Sequence, residues 1–180
     1  GVLAIIRTVF YIVGAEVLRE SWVQTVWMVL TLLTIVMGST RAYHEDVLKK
    51  RLAYSTVSQL SYVLFGLSTL HPIGVAGALL HVLFHSVAKG LLFLGAGSII
   101  HQTGKTKVSE LRGVGRQMPV TGGCFTLGAL SLVGIPPFAG FFSKWYLANG
   151  ALASQTPVFE WMGPVVLLLS ALLTAGYLFP

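Results

Sequence analysis

Charge is what this 180-residue sequence has least of. Lys, Arg, Asp and Glu make up 10% of it and apolar residues 54%, whereas soluble domains carry roughly 25% charge, so an ordinary soluble domain is excluded. Acidic residues are the scarcest. There are six, Glu16, Glu20, Glu45, Asp46, Glu110 and Glu160, and none falls inside an apolar stretch. Cysteine is reduced to Cys124, which rules out an internal disulfide and any CxxC metal or redox motif. A Gly-rich nucleotide loop after a strand is lacking, as is a cysteine cluster for iron and sulfur. No cofactor is therefore expected in this chain, and any redox chemistry would belong to partners.

What the sequence does have is long apolar runs. Residues 21–40 and 120–143 contain no charged side chain, and about 20 such residues suffice to cross a hydrocarbon core of about 30 Å. The pattern predicts an all-α, polytopic bundle in a lipid bilayer. Six spans are expected near 1–15, 21–40, 51–70, 73–100, 119–150 and 162–180. No secretory leader opens the chain, which begins with Gly1 and stops at Pro180 inside an apolar run. It reads as a piece of a longer polypeptide whose first and last spans are cut short. The fifth span is interrupted at LVGIPPFAGF, where Gly134, Pro136 and Pro137 cannot continue a regular helix. A break at membrane depth frees backbone groups that need protein or water partners, so it must face a bundle interior or a cavity.

The net charge of +6 could suggest nucleic acid, but topology accounts for it better and no nucleic-acid partner is expected. Of the 12 basic residues, four (Arg41, Lys49, Lys50, Arg51) lie around 41–51 and four (Lys105, Lys107, Arg112, Arg116) in 101–118, loops that share a side if there are six spans. The opposite loops hold only Arg19. Eight against one places the basic side in the cytoplasm. Three basic residues remain inside spans: Arg7, which can snorkel from its truncated span, Lys89 and Lys144.

His81, His85 and Lys89 are spaced i, i+4, i+8 in LHVLFHSVAKGLLF. A helix puts them on one stripe, about 6 Å apart per step. A charged lysine at mid-membrane costs ~2.5–3.5 kcal/mol on insertion scales, and burial favours the neutral amine. Histidine can accept at one ring nitrogen while donating from the other. A single buried histidine is more simply explained as interhelical glue, but three such groups on one stripe favour a proton path. Lys144 either snorkels to the headgroups or, beside the broken helix, joins that path. Ser55, Gln59 and Tyr62, at i, i+4 and i+7, could line it or simply bond between helices. Lys49 is a topology determinant with a possible entry role. Gly90, Gly95 and Gly97 are expected to allow close packing, and His44, His71 and His101 to sit at helix ends. A haem carrier would need axial histidines on facing helices, whereas His81 and His85 share one.

Three motifs in order, KKRLAYSTVSQLSY (49–62), HVLFHSVAKGLLFLGAGS (81–98) and GIPPFAGFFSKWYL (134–147), resemble the antiporter-like, proton-conducting membrane subunits. That family comprises L-, M- and N-type subunits of NADH:quinone oxidoreductase (complex I), Mrp cation/proton antiporter subunits and membrane-bound hydrogenase relatives. The resemblance covers about 1–150. It implies two inverted five-helix units, with 1–20 ending the first and 21–180 forming the second. It also implies Lys89 as the central lysine, His81 and His85 as its relay and Lys144 as the broken-helix lysine. The implied function is proton translocation coupled to electron transfer in other membrane subunits, without a redox site here, in a prokaryotic inner membrane. The alternative is an Mrp-type Na⁺(K⁺)/H⁺ antiporter subunit. Lysine at 144 speaks against an M-type subunit, and the subfamily stays open.

Overall fold

The computed structural model describes residues 1–19, 21–154, 156 and 158–179. Glu20, expected in a loop, and Pro180, the expected end of the sixth span, lie outside the described residues. Helices α1 (Val2–Ile6), α2 (Ala15–Arg19), α3 (Trp22–His44), α4 (Leu48–Ser68), α5 (Pro72–Thr103), α6 (Val114–Gln117), α7 (Pro119–Val133), α8 (Ala139–Ala153) and α9 (Phe159–Leu178) follow in order, with a π-helical turn at Arg7–Val13 and a 3-10 turn at Val108–Glu110. Among the described residues the only strand-like pairing is one antiparallel bridge, Val47 with Lys107.

The helix ends sit where the local chemistry puts them. Pro72 occupies the first turn of α5, His71 Nδ1 accepts from the Ile73 N–H at 3.3 Å, and Gly104, left-handed at φ 68°, ends the helix. Pro119 likewise opens α7, and Gly134 at φ 88° closes it. The fifth expected span is thus two 15-residue helices separated by 134–138, broken where the Gly-Pro-Pro segment required.

Helices α3, α5 and α9 are each long and apolar enough to cross a membrane. Helix α4 is long enough at 21 residues, but Lys49, Lys50, Arg51 and a run of serines lower its hydropathy. The first expected span comprises Val2–Val13 and is stopped by Gly14 at φ 88°. The expected sidedness has direct geometric support. The two basic loops touch through the Val47–Lys107 bridge, while Arg19 Nη2 donates to Leu70 O, in the turn between α4 and α5, at 2.6 Å.

Packing runs in a ring, α3 on α4, α4 on α5, α5 on α8, α8 on α9 and α9 back on α3, with α7 against α5. Small residues set the closest approaches. A Cβ on Gly150 would run into the Gly74 backbone, and one on Gly77 into the chain at Tyr146 and Leu147. Gly95 faces Phe125, as expected of a packing glycine, but Gly90 and Gly97 face open space. Their lack of a side chain brings no helix closer.

The core divides into two apolar clusters. One contains Ala42, Leu52, Ala88, Leu92, Leu132 and Tyr177. The other contains Ile35, Tyr62, Phe65, Ala78, Leu147 and Leu167. Buried polar residues lie between the two on four helices of the ring, Ser39 on α3, Ser55, Ser58 and Gln59 on α4, His81 and His85 on α5, and Ser170 and Thr174 on α9, and buried Ser143 of α8 meets His81 there. A polar belt therefore crosses the bundle between apolar layers.

Candidate proton-path site

Helix periodicity places the α5 stripe against α4 and α8. Lys89, 6% exposed, donates from Nζ to Leu52 O at 2.8 Å and to Ser55 Oγ. Its ammonium also lies 5.9 Å from the Phe93 ring centroid, within cation–π range. One turn away, the His85 ring stacks on that of His81, with centroids 6.1 Å apart. His81 is held at both nitrogens, Nδ1 by Ser143 Oγ at 2.9 Å and Nε2 by Gln59 Oε1 at 3.0 Å. Its other ring face stacks on Tyr62 at 5.4 Å.

Tyr62 links the stripe to the broken helix. Its hydroxyl donates to Leu167 O at 3.2 Å, and its ring lies 5.2 Å from Lys144 Nζ. Lys144 reaches back across the break and donates to Leu132 O and Val133 O, both at 2.8 Å. These are the last two carbonyls of α7, acceptors that a helix end leaves without partners. They carry the negative end of its dipole. The proline break thus supplies the acceptors that hold the lysine.

Two buried side-chain atoms, Gln59 Nε2 and His85 Nε2, have no hydrogen-bond partner among the described residues, and both belong to this site. Beside His85 lies a cavity of about 10 Å³ lined by His81, His85, Ala88, Ser131, Leu132 and Gly140. That is about enough for one water, which could join His85 to the carbonyl side of the break. The arrangement gathers two amines and two stacked imidazoles into one buried group, in which His81 is fixed by bonds at both ring nitrogens and His85 keeps a free one.

The structure therefore brings together Lys89, His85, His81 and Lys144, together with the expected lining residues Ser55, Gln59 and Tyr62. Gly134, Pro136 and Pro137 form the break beside them. Lys49 stands apart: it is exposed in the first turn of α4, where its amine serves the basic side. Sequence reasoning missed Ser143, which orients His81, and Ser131 on the cavity wall. It also counted Arg51 among the loop cations that set topology, whereas Arg51 is 8% exposed and bonded to backbone carbonyls of Glu45 and Tyr177. No local sequence signal marks Ser143, whose contact with His81 depends on α8 docking on α5. His, Cys, Asp and Glu form no group of three that could hold a metal ion among the described residues.

A membrane-helical bundle with a titratable belt and a lysine-capped helix break is the class of protein that fold and site define. The chain belongs to the family described as NADH:quinone oxidoreductase/Mrp antiporter, TM, whose model matches residues 1–174. It is 44% identical over 145 residues to NADH-quinone oxidoreductase subunit N of Desulforudis audaxviator (strain MP104C), covering 81% of this chain and 28% of that protein. It is 37% identical over 157 residues to chloroplastic NAD(P)H-quinone oxidoreductase subunit 5 of Phaseolus vulgaris, covering 82% and 20% respectively. Among solved structures, the Mrp complex from Dietzia sp. DQ12-45-1b superposes with a TM-score of 0.81 at 31% identity, over 97% of this chain and 32% of that one. The membrane-bound sulfane sulfur reductase, an archaeal respiratory membrane complex, superposes with a TM-score of 0.77 at 33% identity, over 87% and 25%. The chain spans between a fifth and a third of the length of these relatives.

Proposed function

We propose that this chain is the proton-conducting portion of a membrane subunit in an NADH:quinone oxidoreductase-like complex. It would move H⁺ along Lys144, His81, His85 and Lys89 in response to electron transfer in partner subunits. One observation carries the reading. Two amines embedded in apolar helices share one buried group with two stacked imidazoles, and each amine is held by carbonyl or hydroxyl acceptors rather than by a carboxylate. An amine held by neutral acceptors can lose its proton without leaving a buried carboxylate unpaired, which a buried ion pair does not permit. Ser55, Gln59 and Tyr62 line the path, with Lys49 at its basic mouth. Residues 1–20 would end a first repeat unit and 21–180 form the second. The setting is a prokaryotic inner membrane, with other membrane subunits as neighbours and no cofactor bound by this chain.

The similarity to an Mrp complex supports a second reading, an Mrp-type Na⁺(K⁺)/H⁺ antiporter subunit. The parent complex reconstituted in vesicles separates the two. Proton uptake driven by quinone reduction and unaffected by Na⁺ or K⁺ fits the first. Proton flux that requires Na⁺ or K⁺ without electron transfer would replace it with the second. In either case, undiminished flux in an assembled Lys89→Met complex would overturn the assignment of the path.

A further inference from the structure

His81 is 2% exposed, and the partners at its two ring nitrogens, Ser143 and Gln59, are not exposed at all. With bulk water excluded, every polar hydrogen in this trio needs a partner within the protein. Donor and acceptor capacity then decides what each bond is.

Gln59 turns its carbonyl to the ring, with Oε1 3.0 Å from His81 Nε2. A carbonyl oxygen only accepts, so Nε2 carries a hydrogen whether the imidazole is neutral or charged. Gln59 keeps this orientation although its own Nε2 is left without a partner among the described residues. The proton that comes and goes is therefore the one on Nδ1.

Nδ1 faces a different kind of group. Ser143 Oγ lies 2.9 Å from it and 3.1 Å from Gly140 O, one turn back on α8. A hydroxyl has one hydrogen and two lone pairs. It can point the hydrogen at a bare Nδ1. It can equally give the hydrogen to Gly140 O, the i−3 carbonyl that a helical serine is placed to reach, and accept from an Nδ1–H. The first arrangement completes the neutral ring, and the second completes the imidazolium. The ring need not move between them, since it is stacked on Tyr62 at 5.4 Å and on His85 at 6.1 Å.

The other titratable groups around the ring are Tyr62 from α4, Lys144 from α8, and His85 and then Lys89 on α5 itself. The Tyr62 hydroxyl is bonded to Leu167 O, Lys144 to Leu132 O and Val133 O, and Lys89 to Leu52 O and Ser55. None of them bonds to a nitrogen of His81, which leaves Ser143 as the group at the exchanging nitrogen among the described residues.

We propose that His81 takes up and releases its proton at Nδ1 alone. Ser143 serves the exchange by turning its hydroxyl between Nδ1 and Gly140 O, while Gln59 fixes the hydrogen on Nε2. In uptake, the ammonium of Lys144, on the adjacent residue, leaves the α7 carbonyls and gives a proton to Ser143 Oγ as the hydroxyl's own proton passes to Nδ1. One N–H bond forms at the ring and one breaks at the lysine, and the O–H bond is remade. The new hydroxyl hydrogen settles on Gly140 O. The net change is ammonium plus imidazole to amine plus imidazolium. The inference rests on His81 belonging to the proton path proposed above.

The test uses the parent complex in vesicles with Ser143→Ala, Ser143→Thr and, as a control, Lys89→Met. Proton flux is recorded across pH and normalised to assembled complex. Ser143→Ala leaves an Nδ1–H without an acceptor and penalises the imidazolium. The alkaline limb of its profile should move about one unit towards acid, the scale of one charge-assisted bond, and flux at a fixed pH on that limb should fall about tenfold. Ser143→Thr keeps the hydroxyl and should restore the profile. A serine that only packs would alter the amount of assembled complex and not the position of the limb. In the unmutated complex, nitrogen NMR with labelled histidine, the His81 signals identified by their loss in His81→Phe, should show the neutral ring protonated at Nε2. An unshifted profile in Ser143→Ala, or a neutral ring protonated at Nδ1, overturns the proposal. If Lys89→Met pumps normally, the proton-path reading fails and takes this inference with it. If Lys89→Met is inactive while Ser143→Ala keeps the unmutated profile, only the exchange at Nδ1 fails.

Discussion

Ser39, Ser58 and Ser170 form one buried polar group, and the residues around His81 form another. Both lie between the same two apolar clusters. The serines join α3, α4 and α9 through hydroxyl contacts of 2.8, 2.6 and 3.3 Å, with Ser58 also donating to Ile35 O at 3.1 Å. None of their oxygens lacks a partner. The α4–α5–α8 group contains titratable side chains, and it also holds Gln59 Nε2 and His85 Nε2, which lack one. A neutral cluster with every bond made is interhelical glue, each bond worth about 1 kcal/mol. A titratable cluster with spare capacity, beside a cavity the size of one water, is equipped to take up and release protons. Burial and polarity alone do not separate the two roles. Titratability and incomplete satisfaction do.

That contrast can be broken or sharpened by substitution. Beyond Lys89 itself, the largest effect is expected from Lys144→Met, which removes the ammonium from Leu132 O and Val133 O. Proton flux through the assembled complex should fall about a hundredfold, in the range a positioned proton donor contributes. Normal flux would end the titratable group at His81. Next comes His81→Phe, which keeps the stacking on Tyr62 but strips Ser143 and Gln59 of their shared partner. Flux should fall by less than for Lys144→Met, and Gln59→Leu, leaving the Ser143 contact intact, should cost less still.

Smaller effects concern stability. Gly140→Val would push a side chain into the Ser131 carbonyl and should lower unfolding stability in detergent by about 1–3 kcal/mol. Ser170→Ala removes two hydroxyl contacts from the neutral cluster and should cost about 1 kcal/mol without altering flux. The smallest effect belongs to the clamp between the two basic loops, where the Asp46 carboxylate accepts from Ser109 N at 3.1 Å and from Ser109 Oγ at 2.8 Å. Because the folded-state pKa of Asp46 is lowered from 3.8, its contribution is fully present above that value and is lost as pH falls below it through the folded pKa. Amide exchange at Val108 and Ser109 should therefore rise on acidification in the wild type. Asp46→Asn should remove that dependence.

Much of this arrangement is legible in the sequence, for reasons that particular residues show. His81, His85 and Lys89 recur every fourth position in an apolar run, so helical geometry alone places them on one stripe. Gly134, Pro136 and Pro137 announce a helix break because they cannot sustain one. Ser143 was invisible because serine is common in membrane helices, and only the docking of α8 on α5 sets its hydroxyl 2.9 Å from His81. Arg51 was misread because it adjoins Lys49 and Lys50 in a basic run. Which member of such a run turns inward depends on the end of α9, more than 120 positions away. Gly90 and Gly97 were misread in the opposite sense: a glycine next to a conspicuous motif need not touch anything. Tertiary contacts decide these cases, and local pattern does not encode them.

The claim that the titratable cluster conducts protons while the neutral one only packs is tested most directly by one paired measurement. Proton uptake would be recorded in vesicles carrying the parent complex with either Lys89→Met or Ser170→Ala, normalised to the amount of assembled complex. The account predicts that Lys89→Met abolishes uptake and Ser170→Ala leaves it at the wild-type rate. Uptake retained with Lys89→Met, or lost equally in both, would contradict it.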